Sequence, residues 1–84
     1  MRLSEDLLLQ LVESDPPKLV LMDGSIGAEV TWPLTLETTV HLIDDVAVAR
    51  VENRPLVVDG ISVPVESFDT LLSGLGYFAG QVLT

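Results

Sequence analysis

Apolar positions fall into short runs separated by Asp15-Pro16-Pro17, Pro33, Asn53-Arg54-Pro55 and Pro64. In the first run Leu7, Leu8, Leu11 and Val12 share one face at helical spacing. Ser4 stands at the N-cap, with Glu5 and Asp6 in the first turn, where negative charge complements the helix dipole. Leu3 and Leu8 have the spacing of a hydrophobic staple. The prolines then stop the run, because proline lacks a donor and clashes with the preceding turn. Together these features predict a helix over residues 4–14.

Residues 18–22 and 26–32 read as a hairpin around Asp23-Gly24, a pair suited to the positive φ angles of a two-residue type I′ turn. Pairing Met22 with Ser25 sets Lys18 opposite Glu29 and gathers Leu19, Leu21, Ile26, Ala28, Val30 and Trp32 on one face. Beyond Pro33, Leu34, Leu36, Val40 and Leu42 alternate with Thr35, Glu37, Thr39 and His41, which predicts a half-buried strand over 34–43. A turn at Asp44-Asp45 returns the chain as a strand over 46–52. That register puts Glu37 opposite Glu52, a like-charge pair that weakens it.

Asp59-Gly60 marks another hairpin, joining strands over 55–58 and 61–65 with Val58 opposite Ile61 and Leu56 opposite Val63. From Ser67 the rhythm turns helical: Phe68, Leu71, Leu72, Leu75, Ala79 and Val82 predict a helix over 67–82. Gly74, Gly76 and Gly80 each cost that helix about 1 kcal/mol relative to alanine, and close approach of another helix or strand accounts for them. In order, these elements predict one α+β domain over residues 1–84: an N-terminal helix, an antiparallel meander of about six short strands forming a curled sheet or small barrel, and a C-terminal helix.

Composition sharpens the question of what such a domain meets. With 84 residues there is room for one core, yet 48% of the residues are hydrophobic and the mean hydropathy is +0.47. Some of that apolar material is expected to face a partner. Thirteen acidic residues against four Lys and Arg give a net charge of −9, which disfavours direct contact with nucleic acid and favours approach to basic proteins. The absence of cysteine excludes disulfides, thiolate nucleophiles and cysteine metal sites.

The first residues turn acidic where a signal peptide would turn apolar. The apolar stretch from Leu71 to Leu83 is shorter than the roughly 20 residues needed to cross a bilayer. The expectation is a cytoplasmic protein with no membrane span. Arginine outnumbering lysine, with abundant Val, Leu and Asp, suggests a bacterial or phage source.

Candidate chemistry is sparse. His41 stands alone and cannot build a zinc site without cysteine. Asp44-Asp45 reads as turn chemistry, with no further ligands at calcium-loop spacing. Gly74-x-Gly76 lacks both the preceding strand and the lysine of a phosphate loop. No Ser-His-acid spacing and no Gly-x-Ser-x-Gly motif is present. The reading is therefore a non-enzymatic interaction protein with no catalytic residue, cofactor or metal.

Two kinds of partner fit it. One is a second copy, in a homodimer built through the C-terminal helix or a sheet edge with Tyr77 and Phe78 as aromatic anchors. The other is a basic protein, bound in the manner of an acidic inhibitor or immunity-like protein. There Glu37, Asp44, Asp45 and Glu52 join Asp23 and Asp59 in a negative patch.

Overall fold

In the computed structural model, which describes residues 1–82, the chain begins with a strand and not a helix. β1 (Leu7–Val12) buries Leu7 and Leu9 and turns Leu8, Gln10 and Val12 outward. Ser4 does act as a cap, but in a turn: its Oγ accepts from the Leu7 N–H at 3.3 Å while the chain doubles back. The Met1 amino group donates to the Leu9 carbonyl at 2.7 Å, and the Leu9 N–H donates to the Met1 carbonyl at 2.7 Å. Met1–Leu3 thereby covers the outer edge of β1. A six-residue leucine run is too short to hold a helix unaided, and pairing along both of its edges overrides its helical spacing.

β2 (Lys18–Asp23) and β3 (Ala28–Pro33) complete an antiparallel sheet in the order β1-β2-β3. Four residues, Gly24 to Gly27, make the β2–β3 connection in place of a two-residue turn. Asp23 Oδ1 accepts from the Ser25 N–H at 2.9 Å and from its hydroxyl at 2.6 Å, and Gly27 takes the positive φ of 64°. Met22 therefore faces Glu29 and Lys18 faces Pro33, four residues beyond the expected partners. Because side chains alternate with period two, an even slip keeps the faces. Leu19, Leu21 and Val30 remain buried, while Ile26 moves to the exposed loop.

The larger correction follows Pro33. Residues expected to form two strands make one helix, α1 (Leu36–Val51). Thr35 caps it, its Oγ1 accepting from the Thr38 N–H at 3.1 Å, with Glu37 in the first turn and Arg50 in the last. At the far end Asn53 adopts a φ of 51°. The Asn53 N–H reaches the Arg50 carbonyl at 3.1 Å and the Arg54 N–H reaches that of Ala49 at 3.0 Å, the paired bonds of a Schellman cap. Thr39, Leu42, Val46 and Ala49 form the buried face. β-branched residues made the segment look extended, but burial of this 3-4-3 face decides its structure.

β4 (Leu56–Val58) and β5 (Ile61–Val63) form a separate two-stranded sheet. Val58 pairs with Ile61 and Leu56 with Val63, and Asp59 and Gly60 take the positive φ angles of 47° and 86° that a type I′ turn needs. A 3₁₀ turn (Val65–Ser67) leads into α2 (Phe68–Val82). The fold is thus α+β, but among the described residues it has five strands in two sheets and helices beginning only at Leu36 and Phe68. There is no N-terminal helix and no six-stranded meander or barrel.

α2 lies against β1, while α1 packs on α2 and β4. Phe68, Leu71 and Leu75 join Leu9, Leu19, Leu21, Val46, Ile61 and Val63 in one core, with Trp32 partly buried at its margin. Ser67 fastens the start of α2 to the N-terminal segment, its hydroxyl donating to the Leu3 carbonyl at 3.3 Å. Arg50 bonds Asp69, in the first turn of α2, at 2.7 Å and lies 6.0 Å from the Phe68 ring centre.

The three glycines of α2 differ in role. A Cβ on Gly74 would lie 2.5 Å from Met1 Sδ and 3.1 Å from Leu9 Cδ2, whereas one on Gly76 would meet nothing within 4 Å. Gly76→Ala is therefore expected to stabilise the protein by up to about 1 kcal/mol through helix propensity alone. Gly74→Ala is expected to cost about 1 kcal/mol despite the same propensity gain, since the Met1 thioether can swing aside but the fully buried Leu9 cannot. Urea midpoints of the two variants should move in opposite directions, and equal shifts would refute close packing at Gly74. By the same assay Thr35→Ala should cost about 1 kcal/mol while Thr35→Ser stays near wild type.

Candidate protein interface on the outer face of the first helix

α1 is apolar on two sides. Successive residues advance by about 100° around a helix, so Leu36, Val40, Ile43, Ala47 and Val51 line up in a stripe roughly 120° round from the buried face. All five are exposed, with Leu36 at 68% and Val51 at 87%. Val48, also exposed, widens the lower half. An open hollow of about 250 Å³ lies over Ala47, Val48, Val51 and Glu52. Beyond Val48 a second hollow, of about 290 Å³, is lined by Asp45, Arg54, Leu56 and the exposed Val57.

One border of the stripe is acidic. Glu37 and Asp44 follow directly on Leu36 and Ile43 around the helix, and Asp45 and Glu52 lie farther round on the same side. Four residues expected on strands and a turn therefore stand together on one helical flank. Glu52 accepts from Arg54 Nε at 2.6 Å, while Glu37, Asp44 and Asp45 take part in no ion pair among the described residues. Asp23 and Asp59 are not part of this row; they sit at the ends of the β2–β3 and β4–β5 turns, with Asp23 bound to Ser25. His41 is exposed on the acidic flank of α1, not on a strand. No three His, Asp or Glu side chains among the described residues gather as metal ligands would.

The two aromatics near the C-terminus divide their roles. Phe78 packs on the core and Tyr77 is 59% exposed, the rings meeting edge to face at 5.5 Å. The exposed neighbours of Tyr77 on α2 are Ser73, Gly76, Gly80 and Gln81, none of them a large apolar side chain, so it projects singly and not as part of a broad patch. The other exposed surfaces are more broken. On the outer face of the three-stranded sheet Leu8 and Val12 are separated by Gln10, and polar Lys18, Glu29 and Thr31 stand among Val20 and Met22. β3 is the open sheet edge, and Glu29 and Pro33 make it a poor template for further pairing.

No helix among the described residues is long and apolar enough to cross a membrane. The sequence reading missed the stripe because Leu36, Val40 and Leu42 also satisfy a period of two. Its signal was the spacing of Leu36, Val40, Ile43, Ala47 and Val51, which a strand does not explain. No family model matches this chain, and neither the curated proteins nor the solved structures yield a match.

Proposed function

We propose that this chain is a non-enzymatic protein-interaction module that buries the outer face of α1 in a complex. The observation that carries the reading is the unbroken aliphatic stripe from Leu36 to Val51, exposed on a helix that already completes the core with a separate face. Isolated surface leucines and valines are ordinary, but an aligned row on one helix is the form in which helices present anchors to partners. Homodimer formation through the end of α2 is the second reading, favoured by the exposure of Tyr77.

A photo-crosslinking residue placed at Val40, and separately at Thr31 on the outer face of β3, tests the choice of surface in the source cells. Discrete adducts from position 40 and none from position 31 are expected. Adducts from position 31 alone, or none from position 40, would overturn the α1 reading. Sizing with light scattering decides the second reading: it requires a dimer that Tyr77→Ser dissolves.

A further inference from the structure

We propose that the occupant of this face is a basic amphipathic helix of another protein, with aliphatic side chains at 3-4 spacing bordered by Lys or Arg. The proposal rests on the reading of α1 as the contact surface and adds the chemistry of its partner. Leu36, Val40, Ile43 and Ala47 follow the 4-3-4 spacing of the seam that one helix offers another. The two borders of that seam differ. Along one, Thr39 and Val46 are buried in the domain's own core and unavailable to a partner, and the exposed Arg50 is paired with Asp69. Along the other stand Glu37 and Asp44, exposed and without an ion pair among the described residues.

No cation offsets that border. Arg50 is held by Asp69, and Arg54 by Glu52. A helix docked on the seam must therefore lay its own flank along a row of carboxylates, which selects Lys and Arg there. The same geometry counts against a second copy. Two-fold antiparallel pairing of α1 with itself sets like borders together, Glu37 of one copy facing Asp44 of the other, in a chain that already carries a net charge of −9.

The probes are two synthetic helices of about 18 residues, five turns, sharing one Leu/Ile seam, with Lys along the borders of one and Glu along those of the other. Each is titrated by fluorescence anisotropy into the full chain, into Val40→Gln, and into the double variant Glu37→Gln/Asp44→Asn. Val40→Gln breaks the seam without altering charge, and its fold is checked by its urea midpoint. Light scattering records the oligomeric state.

Saturable binding of the Lys helix is expected, about tenfold tighter than that of the Glu helix, with the gap narrowing as salt rises. Val40→Gln should weaken it about tenfold, and the double variant should lose the preference for Lys. Equal binding of both helices, or a preference that survives in the double variant, would refute the charge selection and leave α1 as the contact face. A dimer dissolved by Val40→Gln, with neither helix bound, would make a second copy the occupant and overturn the proposal alone. Lys-helix binding unaffected by Val40→Gln would overturn both this proposal and the α1 reading. Failure of both helices to bind a monomeric chain would also overturn the proposal.

Discussion

At Gly74 the backbone of α2 comes so near β1 that even a methyl group would press on Leu9. Leu9 is itself fully buried, on a strand with one edge paired to β2 and the other covered by Met1–Leu3. The contact therefore has little freedom to relax, and the other elements are arranged around it. α2 lies against β1, and α1 packs on α2 and β4. Among the described residues, which span 33 × 28 × 18 Å, no further element lies over the other side of α1. The stripe is thus exposed because α1 has only α2 and β4 among the described elements to pack on, and both lie on its buried side.

Legibility in the sequence followed the locality of the cause. The Asp59-Gly60 turn and its register were readable because both strands are three residues long and the turn chemistry acts within four. The same dipeptide at Asp23-Gly24 misled because Asp23 used its carboxylate on Ser25 and left the positive φ to Gly27, a choice that depends on where the strands pair. α2 was readable because its buried apolar residues lie on one face, and Gly74, Gly76 and Gly80 looked alike until β1 distinguished the first of them. β1 was unreadable as a strand for the opposite reason. Leu7, Leu8, Leu9 and Leu11 satisfy either period, and the decision comes from residues 1–3 and β2.

α1 was hidden by the residues that now make it interesting. A helix with one apolar face announces itself by a period of 3.6, and a second apolar face fills the gaps and erases the signal. With Thr39, Leu42, Val46 and Ala49 inward, and Leu36, Val40, Ile43, Ala47 and Val51 outward, the segment reads as β-rich and evenly apolar. Of the residues singled out by charge, Glu37, Asp44, Asp45 and Glu52 do come together, though on a helical flank and not across a hairpin. Tyr77, singled out by its glycine neighbours, is exposed but solitary.

An exposed row of aliphatic side chains is ordinarily a liability, since two such rows can bury each other without any specific partner. The acidic border changes that balance. Glu37 and Asp44 lie seven residues, about two turns, apart along the stripe, so two-fold antiparallel contact between two copies of α1 along it brings carboxylates together at the same step. The net charge of −9 adds a longer-ranged repulsion between copies. A partner helix carrying Lys or Arg in that row meets neither obstacle. With the partner we propose, the carboxylates that oppose self-association are the same groups that favour a cationic helix, and both effects depend on α1 being a helix, because only that geometry keeps the charged row one residue round from the aliphatic one.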